Sequence, residues 1–197
     1  MMECKKALTE ANGDIAEGEV VLRKRGIASA GKKATRTTKQ GTVGSYIHAG
    51  AQLGVLIELN CESDFVARTD DFQGLLKDIA MHIAAVDPRY VGKDEVTPED
   101  MEREKEIYRA QAAATGKPAN IIEKMLEGKM SKFYEEVCLL EQPFIKEQTL
   151  TIGQLIAQKV AKLGENISVR RFARFKIGEP SFTVASAKIT VADEPAA

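Results

Sequence analysis

Leu53-Gly54-Val55-Leu56-Ile57-Glu58-Leu59-Asn60-Cys61-Glu62-Ser63-Asp64-Phe65-Val66-Ala67-Arg68 is the stretch on which the architecture turns. Every odd position from Leu53 to Cys61 is apolar, and from Glu58 onward the even positions are polar, so the run reads as a half-buried strand. A helical pattern starts a few residues later, near Asp70. A carboxylate and a phenylalanine, Asp64 and Phe65, therefore stand side by side at a strand-to-helix corner. Such corners lie at the surface, and a Phe exposed there leaves apolar area wet unless something covers it. From residue type alone two roles stay open. Asp64 can cap the turn by accepting a backbone N–H and Phe65 can pack onto the following helix, or both can face a partner.

Working outward, Thr42 to Ala49 is a second strand, joined to Leu53–Glu62 through Ala49-Gly50-Ala51, a hairpin-length connection with Gly. Asp70 to Ala85 is the strongest helix: Phe72, Leu75, Leu76, Ile79 and Ile83 recur at three- and four-residue spacing. Thr69 or Asp70 can cap it, and Asp87-Pro88 ends it. Thr97-Pro98-Glu99-Asp100 opens a further helix. Ala119 to Cys138 is helical too, with Gly128 expected to break it in two. These helices make a subdomain over about 97–138. Thr151 with Gln154 is a capping box before Ile152, Leu155, Ile156, Val160 and Leu163, and Gly164 stops that helix. Ile167 to Ile177 alternates again and reads as a third strand, with Ile167, Val169, Ala173, Phe175 and Ile177 on one side. Arg171 falls on that apolar side, which places it near an edge or makes it snorkel. The expected fold class is α+β, a small antiparallel three-stranded sheet packed with helices, as a core over 42–179.

Before the core, 1–26 reads as a small helical unit. Met1 to Glu10 is helix-compatible, Asn12-Gly13 is a turn, Asp14 with Glu17 forms a capping box, and Gly26 is the expected stop. Residues 27–41 carry Lys32, Lys33, Arg36 and Lys39 and read as a basic connector. Residues 180–197 read as a tail or linker.

Composition narrows the function. A net charge of -1 argues against a general nucleic-acid or anionic-membrane binder, which carries a basic excess. No apolar run approaches the ~20 residues that span a bilayer, and no leader pattern opens the chain. Cys4, Cys61 and Cys138 are widely spaced and accompanied by two histidines, so neither a disulfide framework nor a zinc site is expected. Cys61, on the apolar face of its strand, reads as a small buried hydrophobe. No phosphate-cradling glycine motif, nucleophile elbow or His-Glu-x-x-His is present. His48 and His82 sit in a strand and a helix and read as structural. We therefore expect no enzyme and no cofactor or metal. A competing class is an RNA- or ribosome-associated module using Lys32 to Lys39 and Arg170-Arg171-Phe172-Ala173-Arg174-Phe175, where cations alternate with aromatics.

A resemblance sharpens these expectations. Cys61-Glu62-Ser63-Asp64-Phe65-Val66-Ala67-Arg68 is similar to the signature loop of the translation elongation factor Ts family. Cys4-Lys5-Lys6-Ala7-Leu8 with Gly13-Asp14 resembles the family's N-terminal module, and Gly41 to His48 its first core strand. Leu139 to Phe144 and Gly164 to Arg174 resemble its closing segments. The resemblance covers residues 1 to 179 in order and implies a guanine nucleotide exchange factor for elongation factor Tu. It implies that Ser63, Asp64, Phe65 and Val66 form the loop that dislodges Mg2+ beside GDP, and that Met1 and Met2 belong to a partial, ubiquitin-associated-like N-terminal module gripping the same partner. Ser63 stands where the family more often has Thr, and both offer a hydroxyl. The single core unit resembles the family's shorter form, from bacteria and plastids. That implies a bacterial cytoplasm or plastid stroma and, because a lone three-stranded sheet leaves edges and a face open, a homodimer.

Overall fold

The computed structural model describes residues 2–113 and 119–179. Met1, the 114–118 link and the 180–197 segment lie outside the described residues. In chain order the elements are α1 (Met2–Glu10), α2 (Ile15–Lys33), β1 (Gln40–Ile47), β2 (Leu53–Cys61), α3 (Asp64–Ala67), α4 (Asp70–Val86), α5 (Pro98–Ala113), α6 (Ala119–Val137), β3 (Pro143–Phe144), β4 (Glu147–Thr151), α7 (Ile152–Leu163) and β5 (Ile167–Lys176). The fold is α+β. Its main sheet is antiparallel in the order β1-β2-β5, with β2 central.

β2 alternates as its sequence requires. Val55, Ile57, Leu59 and Cys61 are buried, and Leu56 faces away. Against that buried face packs α4, through Phe72, Leu75, Leu76, Ile79 and Ile83, and α7 adds Ile152, Ile156 and Val160. Gly44 of β1 lets α4 come this close, because a Cβ there would sit 2.0 Å from a Leu76 methyl. A second, smaller cluster of Val96, Met130, Phe133, Val137 and Cys138 holds the α5–α6 hairpin. Asp71 binds Lys159 and Lys162 of α7 at 2.8 and 2.7 Å. Hydrogen bonds from those two ammonium groups hold its carboxyl down at about 2.

Three expectations are corrected. The β5 alternation changes side partway: Glu58 pairs with Arg171, but Leu59 pairs with Val169. Arg170 is thus an extra, bulged residue, and a one-residue bulge exchanges the two faces beyond it. Ile167 and Val169 point into the core, and after the bulge Phe172 packs against it while Phe175 is 61% exposed. Arg171 then lies on the open face beside Glu58, at 2.7 Å. Gly26 does not stop α2, which runs on to Lys33. Gly26 is instead where α2 crosses α7, since a Cβ there would meet that of Ala161 at 3.0 Å. Lys32 and Lys33 accordingly occupy the last helical turn, where cations suit the helix dipole. Gly128 does not break α6, which is continuous from Ala119 to Val137. Its position is exposed, so it weakens the helix by about 1 kcal/mol without interrupting it. The β3–β4 ribbon is an element that the sequence reading did not contain.

His82 is fully buried. Its Nδ1 accepts the Ile145 N–H at 3.4 Å, so its Nε2 carries the proton and donates to Gln142 Oε1 at 3.0 Å. Gln142 donates in turn to the Glu136 carbonyl at 2.8 Å. Burial pushes the imidazole pKa below its usual 6.5. The unfolded chain therefore takes up a proton before the folded chain does. Folding stability should be full above about pH 6.5 and decline as pH falls below it. Urea midpoints at pH 7.5 and 5.5 check this, and His82→Gln should flatten the difference. A midpoint independent of pH over that window would contradict it.

Candidate functional site

The corner between β2 and α4 is braced by a network of hydrogen bonds. Ser63 leaves the strand in an extended conformation, and its Oγ accepts the Val66 N–H at 3.4 Å, capping the four-residue α3. Glu165, which follows Gly164, the left-handed cap of α7, sends both carboxylate oxygens to Ser63. One accepts the Ser63 N–H at 3.0 Å and the other its hydroxyl at 2.6 Å. The Cys61 thiol donates to the Ser63 carbonyl at 3.0 Å, and burial raises its pKa, so it stays a donor. Thr69 caps α4 by accepting the Phe72 N–H and donates to the Val66 carbonyl at 2.8 Å. Gln73 donates to the Ala67 carbonyl at 2.6 Å.

Within this frame the four loop residues divide. Val66 packs against the core and Ala67 is buried, so the turn is anchored from inside. Asp64 and Phe65 face outward. The cap is Ser63 rather than Asp64, whose carboxylate pairs with Arg68 at 3.0 Å. Phe65 does not pack onto α4: it is 78% exposed. Met2, the described member of the methionine pair, is 70% exposed at the start of α1.

The second corner, α7 to β5, mirrors the first. Asn166 donates its N–H to Glu62 at 2.7 Å, and this bond, followed by Arg36, lowers the Glu62 pKa. The Asn166 side-chain amide reaches the carbonyls of Ala34 and Arg36 at 3.3 and 2.8 Å. Glu165 and Asn166 were missed as site residues. They lie 102 and 104 residues from their partners, and no local pattern announces the contact.

In the cation–aromatic run of β5, Phe172 packs against the core, Phe175 is exposed on the open face, Arg171 is paired with Glu58, and the Arg174 side chain is 10% exposed between Asp87 and Glu179. Among the described residues no cluster of His, Cys, Asp or Glu could hold a metal ion, and no helix is long and apolar enough to cross a membrane.

The corner thus holds an aromatic side chain out to solvent on a braced turn. Comparison with known proteins identifies the family. A family model described as Elongation factor TS matches residues 27–179. The chain is 68% identical over 200 residues to an Elongation factor Ts of Koribacter versatilis, covering 100% of this chain and 91% of that protein. It is 69% identical over 179 residues to one of Solibacter usitatus, covering 91% of this chain and 84% of the relative. One from Geobacter sulfurreducens is 59% identical, over 91% of this chain and 83% of its own length. The chain belongs to the elongation factor Ts family.

Proposed function

We propose that the chain is a guanine nucleotide exchange factor that speeds GDP release from elongation factor Tu during translation elongation, without covalent or acid–base chemistry of its own. The observation that carries this is Phe65, 78% exposed on a turn whose neighbours are fixed. An exchange factor that binds the nucleotide-free partner more tightly than the GDP form must weaken GDP binding by the same factor. Phe65 supplies the wedge. It inserts beside the partner's magnesium site, displaces the ion and disturbs the phosphate-binding loop. Asp64 accompanies it, and its ion pair with Arg68, at 47% and 78% side-chain exposure, is screened and costs little to release on docking.

One ring is not enough. A thousandfold acceleration corresponds to about 4 kcal/mol, and burying one Phe contributes about 1.5–3 kcal/mol. The remaining contact falls to the N-terminal helices, where Met2 offers a flexible apolar side chain, with Met1 beside it in sequence. The decisive experiment is release of fluorescent GDP from elongation factor Tu with this chain at catalytic concentration. A many-fold faster release is expected, and an unchanged rate would sink the proposal.

The open face of the sheet carries Val43, Ile47, Leu56 and Phe175, with Ile177 beyond its end, all exposed. A second copy of this chain is the proposed occupant. Two such sheets can stack face to face at about 10 Å. Light scattering should return twice the 21.5 kDa chain mass, and Phe175→Asp should return a single chain. A parent protein that is monomeric at tens of micromolar would remove this proposal. A bacterial cytoplasm is the proposed location, supported by the bacterial origin of the relatives named above.

A further inference from the structure

Beyond the wedge itself, we propose that Glu165 is a positioning residue for nucleotide exchange: it aims Phe65 by fixing Ser63. This rests on the exchange function proposed above and adds a residue to it.

Ser63 is the last residue before the turn that presents Asp64 and Phe65. All of its polar groups are engaged. Its N–H and hydroxyl both donate to the Glu165 carboxylate, at 3.0 and 2.6 Å. Its carbonyl accepts the Cys61 thiol at 3.0 Å and the Ala67 N–H at 3.4 Å. Its Oγ accepts the Val66 N–H. Two of these bonds are accepted by one carboxylate, and hydrogen bonds to a charged acceptor are roughly twice as strong as neutral ones. The hydroxyl proton is also committed by Glu165. With the proton pointing at the carboxylate, a lone pair is left for Val66, so the cap of α3 and the Glu165 contact support each other. A four-residue helix has too few internal bonds to hold its own orientation. Its direction is set by its attachments, the core packing of Val66 and Ala67 from inside and the Glu165 carboxylate on Ser63 at its start.

Glu165 is itself held. It lies between Gly164, which terminates α7, and Asn166, which is 7% exposed and binds Glu62, Ala34 and Arg36. The pair Glu165-Asn166 thus ties together the wedge corner, the end of β2 and the chain leaving α2. A rigid attachment matters for a wedge, because misplacement of about 1 Å in a group that must meet a fixed target can cost on the order of a hundredfold in rate. Without Glu165, Phe65 keeps its chemistry while the start of its turn loses two of the bonds that aim it.

The test is stopped-flow release of fluorescent GDP from elongation factor Tu, with the parent, Glu165→Ala, Phe65→Ala and the double variant. Glu165→Ala should lower the maximal release rate about tenfold or more, with a smaller change in the concentration of chain giving half-maximal rate. It should add nothing to Phe65→Ala, because both act through the same ring. Amide hydrogen exchange should quicken at Asp64–Ala67 while the α4 amides stay protected. Glu165→Gln, which keeps one acceptor oxygen, should fall between the parent and Glu165→Ala, and it serves if the alanine variant does not fold. A parent-like rate in Glu165→Ala, or in Glu165→Gln if that is the one that folds, would overturn the proposal. So would a double variant slower than Phe65→Ala by the full Glu165 factor. If Phe65→Ala itself releases GDP at the parent rate, the wedge fails and this proposal goes with it. If Phe65→Ala is slow and Glu165→Ala is fast, only the role of Glu165 fails.

Discussion

Phe65→Ala is expected to slow stimulated GDP release from elongation factor Tu by about ten- to a hundredfold and to leave the fold as it is. The magnitude follows from one aromatic side chain buried on docking, about 1.5–3 kcal/mol, at about 1.4 kcal/mol per factor of ten. The second half follows from exposure. At 78% exposed, the ring contributes little packing to its own molecule, and surface changes away from packed features stay within about 0.5 kcal/mol. The thermal midpoint should therefore be unchanged, or rise slightly as wet apolar area is removed. Release kinetics and a melting curve on the same sample separate the two possibilities. A variant that is slow because it is unfolded would mean that Phe65 serves the core.

Phe72→Ala should have the opposite profile. Phe72 lies in the first turn of α4, fully buried against the sheet. Truncating a core Phe removes its transfer free energy and leaves a cavity, together about 3–5 kcal/mol. Against a total stability of about 5–15 kcal/mol, that is enough to leave the protein marginal. Urea unfolding should show a much lower midpoint, while the fraction that remains folded keeps its release activity. A loss below about 1 kcal/mol would mean that the β2–α4 interface is not the core described here. The two phenylalanines are seven positions apart in sequence and should divide function from stability.

Much of this division was legible in the sequence. The alternation of β2 and the spacing of Phe72, Leu75, Leu76, Ile79 and Ile83 each report burial on one element, and both patterns held. So did the side-chain caps at Asp14, Thr69 and Thr151, because a cap is a bond between residues three apart. Of the two expected capping boxes, Thr151 with Gln154 closes, while the Asp14 N–H goes to the Ala11 carbonyl instead of Glu17. What failed was tertiary. The bulge at Arg170 left the alternation of β5 looking regular on paper while exchanging its faces. Its one trace was Arg171 on a side that should have been apolar. Gly26 has the composition of a helix stop and serves instead as a crossing point with α7. Gly128 lies where nothing tests it.

The site shows the same split. Asp64 and Phe65 stood out as a carboxylate and an aromatic at a corner, but their orientation was not readable. The direction of Phe65 depends on tertiary contacts of its turn, the inward packing of Val66 and Ala67 and the bonds of Ser63 to Glu165, 102 residues along the chain. The exchange function likewise came from resemblance in the stretch Cys61 to Arg68. An exchange factor needs shape and position rather than a reactive group, so residue types alone could only narrow the choice to a binding protein.

The central claim is that the Phe65 ring enters elongation factor Tu when the nucleotide leaves. The most direct measurement replaces the ring with a photoreactive one, Phe65→p-benzoylphenylalanine, and irradiates the chain with elongation factor Tu. A cross-link that forms with the nucleotide-free partner and fades as GDP and Mg2+ are added is the predicted result. A complex that assembles and exchanges nucleotide without any cross-link from position 65 would contradict it.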